Sequence, residues 1–384
     1  MDFSLPEGLA EELNRFRTFL REGLTPNLSQ WYGDGSVPLS FFQELGNNGW
    51  LGFSTVEDAV HEQPALKQAI LMECLARLSP GVAVAVAVQI SLGSKGVYLF
   101  GSEAQKAQIL PSALLGKTLV CLGNTEPTAG SDVASIATMA ERVEGGWVLN
   151  GTKAYVTNGA ISDFALITAV SDPKATRNQR LSMFLVDLAK KGVSRAKLNK
   201  RVWIPSDLTR LQFKDVFVPD ENLVGERGRG LQQVLGIFTH SRIPISALTL
   251  GTARGAFELG FRHAQRRKVF GEPIVNFQSK SFECAHFFSR IEAARLTLHK
   301  ACWLKDHGKD FRLEASLAKY LTVEAAREVG LWAADLFGAS SVVFEHPIHR
   351  YPMDAWASSL GEGTQDVQKL IIFRALMGRE ELFE

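Results

Sequence analysis

The stretch "CLGNTEPTAGSDVAS", residues 121 to 135, stands where one texture of the chain gives way to another. Pro127 and Gly130 make the chain turn there, and the hydroxyls of Thr125 and Ser131, with the loop's N–H groups, can hydrogen-bond a flat polar ring system. In isolation the same residues read as an ordinary turn. Upstream, Leu13, Phe16, Phe19 and Leu20 recur at helical spacing, as do Leu66, Ile70, Leu71, Cys74, Leu75 and Leu78. "GVAVAVAVQI", residues 81–90, alternates like a strand, but its alanines and helical surroundings favour a tightly packed buried helix. Downstream, "GWVLNGTKAYVTNG", "FALITAVS", "RLSMFLVDL" and "LQFKDVFVP" are short β-rich runs separated by turn signals. After "GERGRG" at 225–230 the helical pattern returns, in segments over 231–268, 279–307 and 312–337. The chain therefore reads as an α+β protein in three parts: a helical domain over 1–120, a β domain over 121–226 and a second helical domain over 227–384.

A length of 384 residues suits two or three domains. The 46% hydrophobic and 22% charged fractions are those of a globular protein, and a net charge of +1 gives no reason to expect nucleic acid or an anionic membrane as partner. The N-terminus lacks the basic start and apolar core of a secretory signal, so a cytoplasmic location is expected. Cys74, Cys121, Cys284 and Cys302 lie far apart, which suits reduced core thiols, and no histidine pair has the HExxH spacing of a metal site.

"SSLGEGTQDVQKLIIFRAL", residues 358–376, sets Glu362 between two glycines ahead of a helical run. A first-turn acid favoured by the helix dipole is the bland reading. Glycine on both sides points to something else, a backbone in unusual dihedrals or closely approached by another molecule.

Four motifs taken together resemble the acyl-CoA dehydrogenase family of flavoproteins, in the same order and over nearly the whole chain: "CLGNTEPTAGSDVAS", "VLNGTKAYVTNGAISD", "RRKVFGEPIVNFQ" and "GEGTQDVQ". The resemblance implies an N-terminal helical domain, a barrel-like or sandwich β domain and a C-terminal four-helix bundle. It implies FAD, lined by Leu122, Gly123, Asn124, Thr125, Glu126, Pro127, Thr128, Ala129, Gly130 and Ser131, with Tyr155, Val156 and Thr157 against the flavin. Many relatives carry tryptophan where this chain has Tyr155. Arg267 and Gln278 match positions that reach the FAD pyrophosphate of a neighbouring subunit in a homotetramer. Asp335, Gly338, Thr364, Gln365 and Asp366 fall where relatives touch the cofactor, and Asp335 and Met353 replace a common glutamine and arginine.

For the substrate, the resemblance implies an acyl-CoA near Ser131, Thr239, Arg242 and Gly363. Thr239 replaces a frequent acid, and Ser241 stands where one branch of the family has its catalytic base, so the base is not on that helix. A glycine-rich loop common in relatives is missing after "NNGWLGFSTVEDAV". The reaction implied is α,β-dehydrogenation of the thioester. Glu362 takes the Cα proton, the flavin takes the hydride, and the Glu362 N–H with a ribityl hydroxyl holds the carbonyl oxygen. An electron-transfer flavoprotein is the implied acceptor. Three alternatives stay open: a dehydrogenase of carrier-protein thioesters, an acyl-CoA oxidase and a catalytically silent binding partner.

Overall fold

The computed structural model of the chain describes residues 6–56 and 59–378. Three short helices open it, α1 (Leu9–Phe19), α2 (Leu28–Asp34) and α3 (Leu39–Asn47). A hairpin of β1 (Phe53–Val56) and β2 (Ala59–Glu62) follows, then α4 (Ala65–Leu78), α5 (Pro80–Val88), α6 (Ser94–Phe100) and α7 (Glu103–Leu114). The hairpin departs from the all-helical expectation for this part. "GVAVAVAV" is helical, with Ser79 capping its N-terminus by accepting from the Val82 N–H.

A π turn over Gln89–Gly93 joins α5 to α6. Pro80–Phe100 is thereby long and apolar enough to cross a membrane, yet 83% of its most apolar window is buried inside the protein, as suits a core helix. Gln89 leaves that helix to grip the next domain: its Nε2 donates to the Thr118 carbonyl at 3.0 Å, and its Oε1 accepts from the Val120 N–H at 2.8 Å.

The β domain is one mixed sheet of eight strands: β3 (Val120–Gly123), β4 (Met139–Val143), β5 (Gly146–Thr157), β6 (Phe164–Val170), β7 (Leu181–Asp187), β8 (Val193–Lys197), β9 (Leu208–Pro219) and β10 (Leu223–Val224). The hydrogen-bonded order is β10-β7-β6-β4-β5-β9-β8, and β3 runs parallel to β6. Period-two alternation buries Trp147, Leu149 and Lys153 of β5 on one face.

The C-terminal part is a bundle of α8 (Gly230–Arg266), α9 (Gln278–Asp306), α10 (Arg312–Phe337) and α12 (Gln365–Met377), with the short α11 (Arg350–Ala357) beside it. Its core is continuous with that of the first helices: Leu71, Leu75, Leu248, Ile291, Val329 and Tyr351 share one apolar cluster. Polar contacts pin the three parts together. The Trp203 N–H donates to Asp354 Oδ1 at 2.6 Å, the Tyr351 hydroxyl donates to the Arg77 carbonyl at 2.8 Å, and Asp306 accepts from the first two N–H groups of α4.

Candidate active site

Glu362 lies outside any helix. Thr364 is the N-cap of α12, its hydroxyl accepting from the Val367 N–H, so the first-turn acid is Asp366 and the bland reading of Glu362 fails. Glu362 takes φ 55, a left-handed backbone that a non-glycine residue adopts only when its surroundings impose it. Gly363 follows at φ 90. The residue is half-buried overall, yet its Oε2 is buried with no hydrogen-bond partner among the described residues. Burial pushes the carboxyl up to about 7, against the pull of the Ser241 hydroxyl, Lys319 and Arg242.

The long helix α8 brings Ser241 and Arg242 to this carboxylate. Arg242 is buried, with Nε unpartnered among the described residues and one terminal nitrogen 3.3 Å from the Thr239 hydroxyl, which itself donates to the Leu235 carbonyl. From the other side, buried Lys319 on α10 donates to the carbonyls of Gly361 and Gly363. Gln368 Nε2 adds a bond to the Gly363 carbonyl at 3.1 Å. A carboxylate ionising near neutrality, on a loop whose carbonyls are tied inward, is equipped to accept a proton from a weak acid.

The 122–131 loop has two faces. Beneath, Leu122, Gly123, Asn124, Glu126 and Ala129 are buried, so their side chains are not on the presenting side. Glu126 accepts from the Ala137 and Thr138 N–H groups and from Lys153, whose Nζ also donates to the Asn124 carbonyl. Above, Pro127, Thr128, Gly130 and Ser131 are exposed, and a Cβ on Gly130 would meet none of the described residues within 4 Å. Tyr155 joins this face, 62% exposed at φ 56, an aromatic ring outside any core, with Val156 buried behind it and Thr157 half-buried. Hydroxyls, loop N–H groups and one uncovered ring on a rigidly braced support fit a flat polar ring such as a flavin.

Arg267, Gln278, Asp335 and Gly338 are not brought to this loop by their own chain. They cluster at the far end of α8, exposed. Arg267 is 25 residues beyond Arg242, which along a helix is about 37 Å. Gln365 is buried and donates to Glu324 and the Tyr320 carbonyl, and Asp366 pairs with Lys369. Met353 is exposed on α11.

Three family models cover this architecture: acyl-CoA dehydrogenase N-terminal domain over residues 10–117, middle domain over 121–216 and C-terminal domain over 228–377. The chain belongs to the acyl-CoA dehydrogenase family. It is an oxidoreductase of that family with the fold expected from its motifs. Its relatives include the short-chain specific acyl-CoA dehydrogenase of Megasphaera elsdenii, 31% identical over 98% of this chain and all of the relative. A chain in the structure of the electron transferring flavoprotein of Acidaminococcus fermentans is 28% identical, with TM-score 0.94 over 99% of this chain and all of that one. The glutaryl-CoA dehydrogenase of Mycobacterium smegmatis in complex with FADH2 is 27% identical, with TM-score 0.90 over 98% of this chain and 96% of that one.

Two lysines escaped the sequence reading, and the periodicity could have flagged both. Lys319 lies on the small-residue stripe of Ala315, Thr322 and Ala326, and Lys153 is in phase with Trp147 and Leu149. A lysine on a core stripe signals a buried partner.

Proposed function

We propose that the protein dehydrogenates an acyl-CoA thioester at its α,β bond, with Glu362 as the base that removes the Cα proton and FAD as cofactor. The observation that carries this reading is the Glu362 carboxyl, raised to about 7 on a left-handed loop beside Ser241 and Arg242. Above about pH 7 the group is ionised and can take the proton; below it the base is filled. Its own N–H is the donor for the thioester oxygen, where enolate charge gathers, and Arg242 helps to hold the CoA portion. The residues that hold FAD are the exposed face of Thr125–Ser131 with Tyr155 and Thr157. When bound, it accepts the hydride from Cβ.

The test is an anaerobic panel of butyryl-, octanoyl-, palmitoyl-, isobutyryl- and glutaryl-CoA mixed with the FAD-loaded protein. Bleaching of the flavin by one or more of them is expected, followed by reoxidation by an electron-transfer flavoprotein faster than by oxygen. A flavin-loaded protein that no acyl thioester bleaches, whether on CoA or on a carrier protein, overturns the reading.

The distance between Arg242 and Arg267 supports a homotetramer in which Arg267 and Gln278 of one subunit serve the FAD of its neighbour. Exposed apolar side chains at that end, Phe270 at 95% and Phe344 at 79% among them, favour burial against another subunit. Arg267→Ala is expected to lose flavin and loosen assembly together, since a ligand bound only by the assembled form stabilises it by mass action. Size-exclusion chromatography with absorbance at the flavin band reads both. A variant that keeps parent FAD content and size shows that Arg267 serves neither.

A further inference from the structure

We propose that Lys319 is the positioning residue of the base loop: its buried ammonium clamps the carbonyls of Gly361 and Gly363 and so fixes the Glu362 carboxylate that lies between them. This rests on the reading of Glu362 as the base. Lys319 is fully buried on α10, on a stripe otherwise made of small and apolar residues. A buried ammonium is costly to desolvate, so a stripe that served packing alone would carry an apolar side chain there. Instead the charge is directed at two carbonyls that flank a single residue. The Gly361 carbonyl belongs to the peptide unit that enters Glu362, where φ is 55, and the Gly363 carbonyl to the unit that leaves Gly363, so one donor pins the loop before and after Glu362. Gln368, donating from α12 to the Gly363 carbonyl at 3.1 Å and reaching the Glu362 carbonyl at 3.4 Å, completes a grip on all three carbonyls of the loop.

The same ammonium acts on the carboxylate through space. Among the described residues, the charged groups that face Glu362 are Lys319 from α10 and Arg242 from α8, while Gln365 and Gln368 on α12 are neutral. Glu324, further along α10, is engaged by Gln365 and Arg327. Burial alone raises the carboxyl, and the Lys319 charge opposes that rise. Burial in turn lowers Lys319 to about 8, against the opposite pull of Glu362. Loss of this charge raises the Glu362 pKa further, and because the ionised form is the base, the rate–pH curve moves to higher pH. A lysine that only filled space would leave that curve where it is.

The test uses FAD-loaded Lys319→Met and Lys319→Gln, with the acyl-CoA that bleaches the parent fastest in the panel. Lys319→Met is expected to keep FAD and bind that thioester within about threefold, but to reduce its flavin roughly tenfold or more slowly at pH 7, the scale of a misplaced catalytic group. Its rate–pH midpoint rises and amide exchange over residues 360–364 quickens. Lys319→Gln keeps donors for the carbonyls without the charge, so it recovers slow exchange while keeping the raised midpoint. Should the Met variant fail to fold, the midpoint of the Gln variant decides. Parent-like midpoint and rate in a folded variant overturn the assignment. Glu362→Gln in parallel separates the two readings: slow Glu362→Gln with parent-like Lys319 variants sinks the Lys319 clamp alone. Parent-rate Glu362→Gln sinks the base reading and the clamp with it.

Discussion

Glu362→Gln is expected to lower the rate of flavin reduction by at least about a hundredfold and up to ten-thousandfold, the usual contribution of a general base. The amide is close to the carboxylate in shape and leaves the backbone N–H in place. FAD content, folding and thioester binding are therefore expected to survive. The grip of Lys319 and Gln368 on the loop falls on carbonyls, which the substitution does not touch. Rapid mixing with a thioester that bleaches the parent measures the loss, and a binding titration of the same variant guards against lost affinity. A rate within about threefold of the parent, far less than a general base supplies, means that the proton goes elsewhere.

The second large effect lies under the loop at 122–131. Lys153 Nζ is wholly buried and 2.7 Å from Glu126 Oε1, and Glu126 also receives the Ala137 and Thr138 N–H groups. Lys153→Met leaves that carboxylate buried without its counter-charge, which typically costs about 3–5 kcal/mol. A fall in melting temperature of roughly 10 °C is expected for a domain of this size. FAD content falls with it, because the exposed face of the loop depends on its underside. Removing the carboxylate as well, in Glu126→Gln/Lys153→Met, restores part of the loss, since charge without partner is costlier than no charge. Scanning calorimetry with a flavin assay on both variants decides the matter. A melting temperature for Lys153→Met within about 1 °C of the parent, against the fall expected for an uncompensated charge, shows the pair to be dispensable.

The order of helices, sheet and helices was legible because each texture has its own period: Leu66, Ile70 and Leu71 repeat as a helix face, and the β-rich runs are bounded by Asn-Gly and other turns. The long helices fall within a residue or two of the segments read from the pattern. The hairpin of β1 and β2 was not legible. Its strands are four residues each and largely solvent-facing, so no strong alternation marks them. Within the site, the glycines around Glu362 signalled an unusual backbone, but they said nothing of Lys319, 43 residues away in sequence. Contacts of that separation are set by how helices pack, and local spacing carries only the hint of a charge on a core face. Likewise the motif at 121–135 marked a loop without showing that Glu126 and Asn124 turn inward while Thr128 and Ser131 turn out.

The left-handed backbone at Glu362 makes the residue a burden to the fold. Such a conformation costs a non-glycine residue about 1–2 kcal/mol, and a carboxyl held near 7 by burial adds to it at neutral pH. Glycine at the same position would remove both, so Glu362→Gly is expected to melt later than the parent while reducing no flavin. Selection for turnover and selection for durability thus pull in opposite directions at this one position. A consensus or thermostability screen blind to activity would discard the very side chain proposed as the base.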